Sequence, residues 1–257
     1  MKDLTFLEWQ EDGAIATVWL NRPPVNATDR QLYSEIREFF GNVPDYLPRA
    51  RVVVLAGKGK HFCAGNDLAE FQTMDPDNAP ERLKLARETF WAIYDSPCPV
   101  IAAVHGVAVG SGLAIAASCD LVVAAEGAQF ATPEVNVGVL GGAKHLSRLV
   151  PQGVVRLMHY TGDLYAAEKL LPYGGIVDVV PREQLLGAAQ ALARSIARHS
   201  PVTLQLAKRS LNGIEYMDLK PGYEFEQGLT RELSGYADAK EAVNAFLERR
   251  APVYTGR

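Results

Sequence analysis

The run PVIAAVHG (99–106), GVAVGSGLAIAAS (106–118), DLVVAAE (120–126) and AQFATPE (128–134) decides the fold. Three short strand-like runs rich in Val, Ile and Ala each close on a turn signal. Between the first two sits GSGLAIAAS, a glycine-started helix too apolar and too short to be anything but buried. Strands alternating with buried helix in this way make an α/β core.

Working outward, RVVVLAG (51–57) is a continuous apolar run, as expected of a strand covered on both faces. LTFLEW (4–9) and AIATVWL (14–20) flank Asp12-Gly13 and predict a β-hairpin. Asn21-Arg22-Pro23-Pro24 ends the second strand, because prolines cannot continue a ladder. The spacing of Leu32, Ile36 and Phe39 predicts a helix, capped at Thr28 with Gln31 in capping-box position and stopped by Gly41. QTMDPDNAP (72–80) is polar and proline-bearing, which predicts a mobile surface loop before a helix bearing Leu83, Ala86, Phe90 and Ile93. IVDVVP (176–181) is the last strand-like run. Beyond it, Leu185, Ala189, Leu192 and Ile196, then TLQLAKRSL, then DAKEAVNAFLERR mark helices. The division is therefore an α/β core over 1–181 and a helical region over 182–257, whose apolar positions need the core or another subunit to cover them.

Of the 257 residues, 48% are hydrophobic and 22% charged, a globular composition that excludes a disordered chain. The net charge of -4 argues against a nucleic-acid partner. No apolar run is long enough to span a membrane, and the start has no signal-peptide layout, so the expected location is cytoplasmic. Cys63, Cys98 and Cys119 are widely spaced without CxxC, and the five histidines form no HExxH pair, so no metal site is expected. GVAVGSG (106–112) lacks P-loop spacing, no GxGxxG opens a βαβ unit, and Ser111 does not sit in a G-x-S-x-G elbow.

LNRPPVNA (20–27), FCAGNDLAEF (62–71), the 99–142 segment and the AFLERRAPVYTGR tail together resemble the crotonase superfamily, the enoyl-CoA hydratase/isomerase family. The resemblance spans essentially the whole chain. It implies a crotonase (ClpP-like) spiral of ββα units, C-terminal helices that mediate trimerisation, and a homotrimer or dimer of trimers. It also implies an acyl-CoA substrate, with coenzyme A part of the substrate and no separate cofactor. Family chemistry stabilises a thioester enolate with two backbone N–H donors, and such a donor can contribute about 2.7–4 kcal/mol. By motif position these are the amides of Asn66 and Ser111, where Ser111 replaces the usual glycine. Hydratases of the family carry two glutamates. The second corresponds to Glu134; the first falls on Ala114, which cannot transfer a proton.

The resemblance thus implies Glu134 as a single acid/base, as in double-bond isomerisation. A hydratase-lyase acting on an aromatic or branched enoyl-CoA, or an acyl-CoA binder impaired in acid/base work, are the alternatives. Glu70, Asp67, Asp120 and His145 are candidates for a substitute second acid. Asp67 also suits a helix start, Asp120 suits holding backbone amides, His145 suits a pocket wall, and Lys144 beside it suits a solvated charge. For the substrate, the resemblance points to Pro24, Val25, Ala64, Asn66, Asp67, Leu68, Ser111 and Gly112. Arg22 is either a phosphate partner or a structural brace.

Overall fold

The computed structural model describes residues 3–257. The hairpin forms as β1 (Leu7–Asp12) and β2 (Ile15–Leu20), paired antiparallel with Asp12 opposite Ile15. Then follow α1 (Arg30–Gly41), α2 (Val43–Tyr46), β3 (Val52–Gly57), α3 (Leu68–Phe71) and α4 (Ala79–Tyr94). The quoted segment supplies β4 (Val100–Val104), β5 (Val107–Val109), α5 (Ser111–Ser118), β6 (Leu121–Ala125) and β7 (Gln129–Ala131). A 3₁₀ turn over Pro133–Val137 leads to α6 (Ala143–Leu146), α7 (Gln152–Thr161), β8 (Tyr165–Ala166), α8 (Ala167–Leu170) and β9 (Asp178–Val180). The chain ends in α9 (Leu185–Ala197), α10 (Pro201–Ile214), α11 (Leu219–Leu233) and α12 (Ala237–Leu247).

A six-stranded sheet runs β1-β2-β3-β4-β6-β9, parallel except for β1. The period-2 alternation of side chains assigns its residues to two cores. Val53, Leu55, Ala102, Val104 and Val122 face Leu32, Ile36 and Phe39 of α1 and Leu113 and Ile115 of α5. Val52, Val54, Ile101, Ala103 and Val123 face Leu185, Ala189 and Ala193 of α9. Because both faces are covered, β3 is buried throughout and reads in sequence as an unbroken apolar run.

A second sheet, β5-β7-β8, is built from the turns between the main strands. An isolated parallel bridge between Cys63 and Ala108 places the segment after β3 beside β5. The chain therefore returns three times from the large sheet through a short parallel segment to a helix. That repeat is the ββα spiral. β5 and β8 were not expected; two- or three-residue strands leave no period to detect.

Several local expectations change. The cap of α1 is Asp29, whose carboxylate accepts from Leu32 N at 2.8 Å, and Gly41 is the last helical residue. Thr28 instead bridges to Asn66. The 72–80 segment is a hydrogen-bonded turn: Asp75 Oδ1 accepts from the amides of Asp77 and Asn78, and Asn78 Nδ2 donates to Thr73 O. α7 and α11 were not anticipated either. In the helical region α9 packs on the sheet, whereas Val202, Leu206 and Leu229 of α10 and α11 form a small separate core.

Candidate functional site

Three parallel segments lie side by side in the second layer. Cys63 is in register with Ala108, and Ala108 with Phe130. Neighbouring strands are about 4.8 Å apart. Their C-terminal ends therefore deliver Gly65-Asn66, Gly110-Ser111 and Pro133-Glu134 to one place. Asn66, Ser111 and Glu134 line a single chamber, together with Thr28, Tyr33, Glu70, Phe90 and Ala114.

Neither the Asn66 amide nor the Ser111 amide has a partner among the described residues. Ser111 opens α5, and the first N–H groups of a helix have no intrahelical acceptor and carry the positive end of its dipole. Two residues with bare main-chain donors among the described partners thus line the chamber. Gly112, expected at the substrate, has another duty. A Cβ there would stand 2.2 Å from Cys63 O, so only glycine lets α5 start against this segment.

Glu134 is buried and its Oε2 has no hydrogen-bond partner among the described residues. Burial raises its pKa above the ordinary carboxylate value, offset only in part by its own backbone N–H. A Cβ on Gly142 would lie 2.9 Å from Oε1, so the glycine leaves the carboxyl its place.

The other carboxylates are committed elsewhere. Asp67 caps α3 by accepting from Ala69 N, and takes the Arg22 guanidinium at 2.8 Å. Arg22 also meets Asp29 at 2.9 Å and donates to Ala27 O, which makes it a brace within the Asn21–Ala27 turn. Asp120 accepts from Val100 N and pairs with Lys208 at 2.8 Å. Glu70 lines the chamber, but its Oε2 accepts from Arg30 N. His145 stacks edge-on behind Phe90 at 4.9 Å and is not a lining residue; burial lowers its pKa to about 4 and leaves it neutral. Lys144 is exposed over the Tyr216 ring.

A second cavity opens beside the chamber and shares Asn66, Asp67, Gly110 and Glu134 with it. Pro24, Val25, Ala64 and Leu68 line it, alongside Arg22. Asn26, overlooked in the sequence, sets this wall. At φ 55° it accepts from Arg22 N and donates from Nδ2 to the carbonyls of Lys58, His61 and Phe62. Thr28 and Tyr33 were also overlooked. The Thr28 hydroxyl is 2.7 Å from Ser111 Oγ, and Tyr33 donates to Asn66 Oδ1 at 2.7 Å. No sequence signal marks either, since their partners lie far along the chain.

A sequence model of the enoyl-CoA hydratase/isomerase family matches residues 10–257. The chain belongs to this family. It is 37% identical over 245 residues to a (7aS)-7a-methyl-1,5-dioxo-2,3,5,6,7,7a-hexahydro-1H-indene-carboxyl-CoA hydrolase of Rhodococcus jostii, covering 94% of this chain and 93% of that one. A carnitinyl-CoA dehydratase of Salmonella typhi is 34% identical, covering 98% of each chain. The solved enoyl-CoA hydratase of Bacillus anthracis superposes with a TM-score of 0.92 at 29% identity, covering 98% of this chain and 100% of that one. The fold is thus the crotonase fold, and the chain is an enzyme of a family that acts on CoA thioesters. Among the described residues no helix is long and apolar enough to cross a membrane.

Proposed function

We propose that this enzyme processes an acyl-CoA thioester through an enolate, with the Asn66 and Ser111 amides holding the oxyanion and Glu134 as the single proton carrier. One observation carries the reading: among the described residues, a buried carboxyl with an unpartnered oxygen shares a chamber with two residues whose amides are unpartnered. Glu134 removes a proton from the carbon next to the thioester. The electron pair moves onto the thioester oxygen, where the two N–H groups receive the charge. Returning the proton to the γ-carbon of a 3-enoyl thioester moves the double bond, a cycle that needs one base. The raised pKa suits this work, because a more basic carboxylate is the better proton acceptor. The pantetheine arm enters through the second cavity, past Pro24, Val25, Ala64 and Leu68.

Ala114 lines the chamber where a second glutamate would stand, which weighs against two-carboxylate hydration. The relatives support this latitude, since their names span a hydrolase and a dehydratase. A panel of crotonyl-, 3-enoyl- and aromatic enoyl-CoA, followed for hydration, isomerisation and cleavage, tests the reading. Isomerisation is expected to exceed hydration, and Ala114→Glu to raise crotonyl-CoA hydration without raising isomerisation. Full crotonyl-CoA hydration that survives Glu134→Gln would overturn the single-glutamate scheme.

The assembly proposed is a trimer or dimer of trimers. Phe246 and Leu247 of α12 are 83% and 72% exposed, and Leu219 of α11 is 87% exposed, so the C-terminal helices offer apolar surface for a neighbouring copy. Sedimentation giving a stable monomer at micromolar concentration would reject this.

A further inference from the structure

We infer that the Asn66 side chain, as distinct from its main-chain amide, selects an acyl group bearing an oxygen on the carbons next to the thioester. This rests on the acyl-CoA reading above. Oδ1 of Asn66 accepts from Tyr33 O–H at 2.7 Å and from Thr28 Oγ1 at 3.3 Å. In the structure Oδ1, not Nδ2, faces both hydroxyls and accepts from each. Ser111 Oγ at 2.7 Å completes the chain of hydroxyls behind Thr28. With Oδ1 held by two donors, Nδ2 is left without a partner among the described residues, and it is not sealed from solvent.

Asn66 lines both the chamber and the second cavity, so this donor stands where the two meet. Its own main-chain amide is one of the oxyanion donors. An acceptor within one asparagine side chain's length of that amide is an oxygen on the α- or β-carbon of the bound thioester. A 3-oxo or 3-hydroxy acyl group supplies it; a plain hydrocarbon chain does not. A hydrocarbon would leave Nδ2 desolvated and unpaired, the situation that polar sites discriminate against most strongly.

The test measures dissociation constants in the Glu134→Gln background, where the ligands are not turned over. Acetoacetyl-CoA and 3-hydroxybutyryl-CoA are each compared with butyryl-CoA. The expected result is about tenfold tighter binding of the oxygenated pair, the size of one neutral hydrogen bond. Adding Asn66→Ala, which keeps the main-chain donor, is expected to abolish the preference while butyryl-CoA binding changes by less than about threefold. Tyr33→Phe keeps the ring but frees Oδ1, and is expected to weaken the preference; it carries the test if Asn66→Ala does not fold. Arg82 also lines the chamber and bonds only Glu70 O and Thr73 Oγ1 among described partners, so Arg82→Gln serves as the contrast. Equal binding of the three ligands, a preference that survives both Asn66→Ala and Tyr33→Phe, or one lost only in Arg82→Gln overturns the inference. If butyryl-CoA and the oxygenated ligands all fail to bind, the acyl-CoA reading itself falls, and this inference with it.

Discussion

The two ends of helix α5 are built on opposite rules. At its C-terminal end the chain ties its polar groups to named partners. Arg148 Nη1 donates to Ala117 O and Cys119 O, Ser118 Oγ to Ala114 O, and Asp120 holds Val100 N and Lys208. A cation at a helix C-terminus also complements the dipole. At the N-terminal end, among the described residues, the Ser111 amide is bare and Glu134 Oε2 has no partner. The hydroxyl of Thr132, two residues before Glu134, is likewise buried without a partner among the described residues. Satisfied polar groups hold one geometry and do no further work. Unsatisfied ones cost stability and remain available to a ligand, and here they gather where the chamber is.

The contrast breaks most visibly at Glu134. Glu134→Gln removes the proposed proton carrier and is expected to lower turnover about 10²–10⁴-fold, with CoA thioester binding retained. Steady-state rates and a binding isotherm on the same preparation check it. Loss of both together would mean that Glu134 holds the fold of the chamber instead.

Lys208→Met tests the other end. Lys208 is 4% exposed and bonds Ile93 O, Cys98 O and Asp120, so the change breaks a largely buried pair. The expected loss is about 3 kcal/mol of unfolding free energy, read by urea denaturation, with turnover of the folded enzyme little changed. A large fall in turnover at unchanged stability would contradict the division of labour along α5.

Ser111→Gly should have a smaller effect, because the proposed donor is the main chain. Removing the hydroxyl leaves Thr28 with Gly65 O and Asn66 Oδ1, so no buried group is orphaned. Turnover within about tenfold of the parent is expected, or about 1.4 kcal/mol of barrier. A thousandfold loss would mean that the hydroxyl itself takes part.

The subtlest effect is on stability against pH. Burial raises the Glu134 pKa in the folded chain above its unfolded value, so folding favours the protonated form. That contribution is fully present below the unfolded glutamate pKa and is lost as pH rises through the folded pKa. Glu134→Gln cannot ionise, so its melting temperature should exceed the parent's at neutral pH. The gap should close as pH falls toward the ordinary carboxylate range. Equal pH profiles for the two proteins would show that Glu134 is not held in an apolar site.

The sequence made the strands β2, β3, β4 and β6 and the buried helix α5 legible, because each carries a local apolar pattern that its neighbours require. Motif position also marked Ala114 as the place where the resemblance implies a glutamate, since that comparison needs no coordinates. The cap of α1 was misplaced by one residue, because Thr28 and Asp29 both suit a cap and only the bridge to Asn66 takes Thr28 away. His145 could not be judged from a loop sequence; its place behind Phe90 depends on how α4 and α6 approach.

Local residue pattern by itself determined the α/β class and the order of the main elements, and the family resemblance pointed to the three chain segments proposed to carry the chemistry. Only the tertiary structure decided that Asn66, Ser111 and Glu134 share one chamber, that Arg22 and Asp67 are spent on each other, and that the Asn66 carboxamide is locked by Tyr33 and Thr28. The reason is one of range. Strand and helix patterns act between residues a few positions apart. A hydrogen bond or an orphaned carboxyl is decided by which distant segments lie side by side, and here that is set by the parallel register of Cys63, Ala108 and Phe130.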